Sequence, residues 1–198
     1  MRTLFVLLAF TLFASITHAE TYPLDDVPRE FSAHQKLPCA KDLIKHKSPS
    51  IAYSKTMRVN PHFSKKLLQL EQIAHDVGLE VFGRAPKKIN HFGGYKCRRI
   101  RRYPTTLSEH ALGNAIDLVS FQFARAPQPR KLKRKFAKPF NVSVKKHWGA
   151  KNKKGIFLQR FTEELIKSKL FRTMLGPAYP GHDDHFHFDM APYEIISI

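Results

Sequence analysis

The segment His185-Phe186-His187-Phe188-Asp189-Met190 constrains the fold of this 198-residue chain more than any other stretch. In an extended strand, side chains alternate between faces. Phe186, Phe188 and Met190 then point one way, and His185, His187 and Asp189 the other. One face requires a core to bury against, and the opposite face presents two imidazoles. The pattern predicts a strand that lies on the core and carries a polar site on its back.

A second segment, Ser-Glu-His-Ala-Leu-Gly-Asn-Ala-Ile-Asp from Ser108 to Asp117, adds His110 and Asp117. Imidazoles and one carboxylate are the ligands Zn²⁺ takes when a catalytic site keeps one position open for water. Gly113 and Ala115 bracket the pair, small residues that allow close packing where the loop turns into a strand. Standing alone, a capping Ser108 and a buried Asp117 would read as a loop support. Joined to His185-x-His187, the four residues read as a metal site. Of the eleven histidines, His34, His46, His62, His75, His91 and His147 need no functional explanation.

The chain opens Met1-Arg2, runs apolar from Leu4 to Ile16 and reaches small residues at Thr17 and Ala19. A positive start, a short apolar run and a small-x-small exit predict a secretory signal peptide over residues 1–19. Cleavage after Ala19 would leave residues 20–198 as one domain, periplasmic or secreted. The run is too short for a bilayer, and no later segment approaches the roughly 20 apolar residues a spanning helix needs. The protein is expected to be soluble and monomeric. Two cysteines, Cys39 and Cys97, fit one disulfide in an oxidising compartment.

Net charge is +18. No acid lies between Asp117 and Glu163, while Arg130, Lys131, Lys133, Arg134 and Lys135 crowd the middle of that stretch. Such a field attracts polyanions, although a charge run is as often a solvated face. Arg130, Lys131, Lys133, Arg134 and Lys135 are the candidate polyanion-binding residues. With no aromatic-interleaved RNA motif and no zinc finger in view, a specific nucleic-acid partner is not expected.

Residues 20–58 look irregular, punctuated by Pro23, Pro28, Pro38 and Pro49 and tethered by Cys39. Asn60-Pro61 opens a helix, Asn as its cap and Pro in its first turn. Phe63, Leu67, Leu70, Ala74 and Val77 make one apolar stripe, and Gly78 is the expected stop. Short strands are expected at Leu79–Phe82, Ile89–Phe92 and around Val142, Val144 and Trp148, with a longer one at Ala115–Phe123. Gly93-Gly94 between them lets backbone approach a ligand closely. Ile156–Leu175 reads as a second long helix, after which the His-rich strand ends the fold. The fold class is α+β.

These motifs resemble the extensin-like C-terminal domain family and, more broadly, the clan of zinc peptidases that holds D-Ala-D-Ala carboxypeptidases, penicillin-insensitive murein endopeptidases and the hedgehog signalling domain. The matching pieces are Gly94-Tyr95-Lys96-Cys97-Arg98, Leu107 to Ala111, Ala115 to Asp117, Leu175-Gly176-Pro177 and His182 to Asp189. The resemblance implies a small, mainly antiparallel sheet flanked by helices, with a single Zn²⁺ held by His110, Asp117 and His187. It implies that His185 assists proton transfer or stabilises an oxyanion, that His182 is an additional site histidine, and that Arg98 meets a substrate carboxylate. Related carboxypeptidases place a carboxylate base where Asp184 stands, though an extended strand would turn Asp184 away from His187.

The expected activity is zinc-dependent hydrolysis of an amide in the peptide part of peptidoglycan, by carboxypeptidase or endopeptidase action. The alternative is a non-catalytic, zinc-stabilised module that binds an anionic cell-wall or glycan polymer through its basic surface, since fold and ligands do not guarantee turnover.

Overall fold

The nine-residue strand Ala115–Phe123 is the spine of the molecule, and nearly everything that positions the site pairs with it. In the computed structural model, residues 21–126 and 137–198 are described. The signal peptide expected at residues 1–19 and the candidate polyanion-binding residues from Arg130 to Lys135 lie outside the described residues. In chain order the strands are β1 (Ile44–Lys45), β2 (Ala52–Tyr53), β3 (Arg58–Val59), β4 (Lys88–His91), β5 (Arg99–Ile100), β6 (Tyr103–Leu107), β7 (Ala115–Phe123), β8 (Phe140–Ser143), β9 (Thr173–Leu175), β10 (Phe186–Asp189) and β11 (Ile195–Ser197). The helices are α1 (Pro61–Phe82), α2 (Val144–His147) and α3 (Lys153–Lys167), with a 3₁₀ turn at Glu109–Leu112.

The main sheet runs β11-β9-β10-β7-β4-β2, and β8 also pairs with β7. Strands β10, β4 and β8 are antiparallel to β7, whereas β2 with β4 and β11 with β9 are parallel pairs. The fold is α+β with a mostly antiparallel sheet, as expected. The register between β10 and β7 sets Phe186 opposite Leu118, His187 opposite Asp117 and Phe188 opposite Ile116. Directly opposed residues share a face. Phe186, Phe188, Ile116 and Leu118 are fully buried in the core, while His187 and Asp117 meet on the other face.

Beyond Leu118 the parity of β7 changes. Pairing with β4 steps from His91↔Leu118 to Asn90↔Ser120, leaving Val119 as an extra residue. Such a bulge re-aims the chain. Phe121 and Phe123, which plain alternation would put on the side of Asp117, instead pack in the core with Phe157 and Phe161 of α3.

Asn60 caps α1 with its side chain accepting from the His62 amide at 2.9 Å, and Pro61 fills the first turn. Gly78 does not stop this helix. The stripe continues through Val81 and Phe82, and Gly83, at φ 69°, closes it with its amide donating to the Leu79 carbonyl at 2.9 Å. Gly78 serves packing, because a Cβ there would sit 2.9 Å from the Arg84 carbonyl oxygen and from Pro86. Leu79–Phe82 is therefore helical and not a strand.

The second long helix is shorter than its apolar pattern suggested. Asn152 caps α3 through the Lys154 amide at 2.9 Å, and the helix ends at Lys167; Lys169 turns left-handed at φ 49°. The freed chain then forms β9, with Met174 opposite Phe188. Val144 likewise opens the short helix α2 directly after β8. The His-rich strand is not the last element, since β11 follows at the sheet edge beside β9.

The lead from residue 21 to 58 contains only short strands but is firmly docked. Cys39 and Cys97 form a disulfide with Cα atoms 5.5 Å apart. Leu24, Val27, Phe31 and Leu37 cover a small second cluster of Leu107, Ala111 and Leu112.

Candidate metal centre

A single 3₁₀ turn brings His110 to the strand pair. The 3₁₀ turn carrying His110 ends at Gly113, at φ 63°. A Cβ at Gly113 would lie 2.4 Å from Leu43 and 2.8 Å from the Asn60 nitrogen, so only glycine admits this approach of turn to helix cap. The segment ahead of it is laced to the ligands. The Phe92 amide donates to the Asp117 carbonyl at 2.9 Å, the Asp117 amide to the Gly93 carbonyl at 3.2 Å, and the Lys96 amide to the His110 carbonyl at 3.0 Å. Gly94 packs tightly; a Cβ there would be 2.8 Å from Met57 and Val59 side-chain atoms.

Ligand-type atoms of His110, Asp117 and His187 all lie within 4.8 Å of one another, so this group could hold a metal ion. Asp117 Oδ1 is 3.1 Å from His110 Nε2 and 2.9 Å from His187 Nδ1. The far nitrogen of each ring is already engaged. His110 Nδ1 faces the Gly94 carbonyl at 3.2 Å, and His187 Nε2 faces Asp189 Oδ2 at 2.7 Å. Both of those partners accept, so each far nitrogen carries a hydrogen, and in a neutral ring the inward nitrogen is left with a lone pair. Two such lone pairs and a carboxylate oxygen aimed at one point repel unless a proton or a metal cation sits among them. The donor set therefore fits a divalent metal.

Electrostatics agree with that reading. Burial opposes the charge on Asp117, yet hydrogen bonds from His110 and His187 hold its carboxyl far below the ordinary range. Burial likewise disfavours a charged His187, but Asp117 and Asp189 on either side raise its pKa to about 10. Without a metal, this pocket retains a proton in its place.

His185 enters the site at the start of β10. Its Nδ1 faces Asp184 Oδ1 at 2.8 Å and its Nε2 lies 3.8 Å from Asp117 Oδ1. Asp184 thus contacts His185 and not the three clustered side chains. The His182 ring centroid is 4.8 Å from that of His185 and 5.8 Å from that of His187, and burial pushes its pKa down to about 4, helped by both neighbours. Phe92, 52 % exposed, sets its ring 5.4 Å from His185 and forms an open apolar edge to the site.

Arg98 is half-buried beside the second segment, its carbonyl accepting from the Ser108 amide at 3.2 Å. Among the described residues its guanidinium makes no hydrogen bond with the clustered histidines or with Asp117. Asp189 supports a ligand ring by bonding His187, while Ser108 makes no capping bond and Asp183 is exposed. The role of the Gly94 carbonyl was not legible in the sequence, because a backbone oxygen carries no residue signature.

No curated protein and no solved structure matches the chain. The extensin-like protein C-terminus family matches residues 39–197, which includes every residue of the cluster, and the chain belongs to that family.

Proposed function

We propose that the protein is an exported zinc hydrolase that cuts an amide bond in the peptide part of peptidoglycan. The observation that carries this reading is the convergence of His110 Nε2, His187 Nδ1 and Asp117 Oδ1, with the far nitrogen of both rings tied to an acceptor. Two imidazoles and one carboxylate are the ligand set of a catalytic zinc with an open position. The placement among D-Ala-D-Ala carboxypeptidases and murein endopeptidases follows from the motif resemblance, and export from the leader sequence. Among the described residues, no helix is long and apolar enough to cross a membrane.

When bound there, zinc would polarise the scissile carbonyl and lower the pKa of an attacking water toward neutrality. The protein's own groups supply the rest. Hydrolysis joins the water oxygen to the carbonyl carbon, breaks the C–N bond and must deliver a proton to the departing nitrogen. His185 is placed for that transfer: Asp184 fixes its Nδ1 at 2.8 Å and leaves Nε2 turned toward Asp117. The low pKa of His182, about 4, keeps it neutral at pH 7, so it adds a hydrogen-bonding ring without adding charge beside the cation. The exposed ring of Phe92 offers the substrate an apolar contact at the same edge.

Digestion of purified wall material, with and without a chelator, tests the reading. Shortened or uncrosslinked stems in the muropeptide profile should appear only when metal is present. The His185→Ala variant should lose turnover and keep its metal. Unchanged muropeptides with the metal-replete protein would refute the hydrolase reading, and loss of metal in His185→Ala would make His185 a ligand instead.

A further inference from the structure

The chain that leaves the metal centre after Phe92 runs straight into a cationic hairpin. No acid occurs between Glu80 and Glu109, while Lys96, Arg98, Arg99, Arg101 and Arg102 fall within seven residues. The start of this stretch is fixed to the site by the Lys96 amide, which donates to the His110 carbonyl at 3.0 Å. It then forms the hairpin β5–β6, with Arg101 and Arg102 as the exposed turn and Tyr103, 54 % exposed, beside them.

The base of this hairpin is anchored. Arg99 donates to the Ser32 and Gln35 carbonyls at 2.7 and 2.8 Å, the Phe31 amide to the Thr105 carbonyl at 2.8 Å, and Thr106 to Glu30 at 2.8 Å. The tip is not. Lys96, Arg101 and Arg102 are exposed, and none of them pairs with a carboxylate among the described residues. Two-residue hairpin turns favour asparagine, aspartate and glycine, so turn geometry gives no reason for Arg101-Arg102. Three cations with no carboxylate partner among the described residues, two at the tip of an anchored hairpin and one bonded through its own backbone amide to the His110 carbonyl, form a surface suited to an anionic chain that continues out of the site.

We propose that Lys96, Arg101 and Arg102 dock the free carboxylates of the wall's peptide stems and feed the polymer to the metal centre. This inference rests on reading that centre as a wall hydrolase and names the feature of the substrate recognised outside it. Charge complementarity selects the partner: stem peptides carry free carboxylates close to their amide bonds, and Lys and Arg side chains pair with carboxylates at short range.

A pelleting assay at 4 °C tests it with metal-loaded protein and sacculi stripped of phosphate polymers, while a parallel warm digest records released muropeptides and freed terminal amino acid. The triple variant Lys96→Ala/Arg101→Ala/Arg102→Ala should bind about tenfold more weakly than the unaltered protein, as loss of three exposed ion pairs implies. The variant Lys65→Ala/Lys145→Ala/Lys146→Ala removes the same charge from exposed positions elsewhere and should bind within about threefold of the unaltered protein, because screening confines the effect to nearby charges. Sacculi whose carboxylates have been amidated should lose the unaltered protein to a similar degree. Equal weakening by both triple variants, unchanged binding to amidated sacculi, or no binding at all would overturn the proposal. Binding that follows the expected pattern, with neither muropeptides nor a freed terminal amino acid in the warm digest, would instead refute the hydrolase reading and leave the docking surface standing.

Discussion

Asp189→Asn exchanges one oxygen for an NH₂ group at almost constant volume, and the surroundings of Asp189 make that exchange costly. Its two oxygens have separate donors: Oδ1 accepts from the Ala191 amide at 2.9 Å and Oδ2 from His187 Nε2 at 2.7 Å. Both Asp189 and Ala191 are buried, so water cannot replace a lost partner. Asparagine offers one acceptor and one donor. If its oxygen keeps the Ala191 amide, its NH₂ faces His187 Nε2, which must then give up its hydrogen. The one remaining hydrogen is then on Nδ1, the atom that points at Asp117, and the ring can no longer act as a ligand without changing tautomer. If the amide turns the other way, its NH₂ meets the Ala191 N–H, and two buried donors oppose each other at a cost of about 1–3 kcal/mol. The first arrangement should weaken metal binding by about 10- to 100-fold, the range for groups that orient a ligand histidine, or about 1.4–2.7 kcal/mol. Competition against a chromophoric chelator measures the affinity, and thermal unfolding of the metal-free protein detects the second arrangement. A variant within about threefold of the unaltered protein in affinity, and unchanged in melting, would show that Asp189 does not set the tautomer of His187.

Metal binding should be coupled to proton release. His187 in the metal-free protein is raised to about 10, so below that pH the metal displaces a proton, and affinity should rise about tenfold per pH unit between pH 7 and 10. Titration calorimetry in buffers of different ionisation enthalpy reads the proton, and pH-independent affinity would refute the coupling. The same shift has a defined sign for stability. The folded pKa lies above the unfolded value of about 6.5, so this contribution is full below pH 6.5 and is lost as pH rises toward 10. Denaturant midpoints of the metal-free protein should therefore fall across that window, and a flat profile would be the contrary result. Replacing both cysteines with serine should cost about 4 kcal/mol for a loop of 58 residues, read from urea unfolding; a loss below about 1 kcal/mol would mean the lead is held by packing alone. Glu71, buried on α1, accepts from Tyr53 at 2.8 Å and contacts His46 Nε2 at 2.7 Å, with Ser48 on its other oxygen. Glu71→Ala should destabilise by about 3–5 kcal/mol because it strands those partners, and a change under 1 kcal/mol would show that water enters the gap.

The site was legible wherever a local period carried it. The alternation from His185 to Met190 placed His187 and Phe188 on opposite faces, and the bounds of β7 followed from the same reasoning. Asn60-Pro61 located the start of α1 because capping is a local event. What failed was decided by contacts outside the local period. Gly78 looks like a stop until Arg84 and Pro86 are seen to lie where its Cβ would be. Leu170 and Met174 continue the apolar spacing of α3, but Met174 is buried as a strand residue against Phe188. The bulge at Val119 shows in the sequence only as a change of phase, from apolar Ile116 and Leu118 to apolar Phe121 and Phe123, and without it Asp117 and Phe121 would seem to share a face.

The lead shows why irregular sequence can still determine a site. Arg29 pairs with Glu109 through two bonds, at 2.6 and 3.2 Å, and Asn114 donates to the same carboxylate at 2.6 Å. Tyr22 in turn donates to Asn114 at 2.6 Å, and Asp25 pairs with Arg172 just ahead of β9. Glu109 and Asn114 stand at the two ends of the turn that carries His110, so the lead grips the backbone on both sides of that ligand. A buried ion pair of this kind adds little net stability over an apolar pair of the same shape. What it provides is an orientation for the turn, because one Glu109 carboxylate accepts from both Arg29 and Asn114. His110 Nε2 is held at Asp117 by elements that begin nearly ninety residues earlier in the chain, and no periodicity within the segment Ser108 to Asp117 could have disclosed that support.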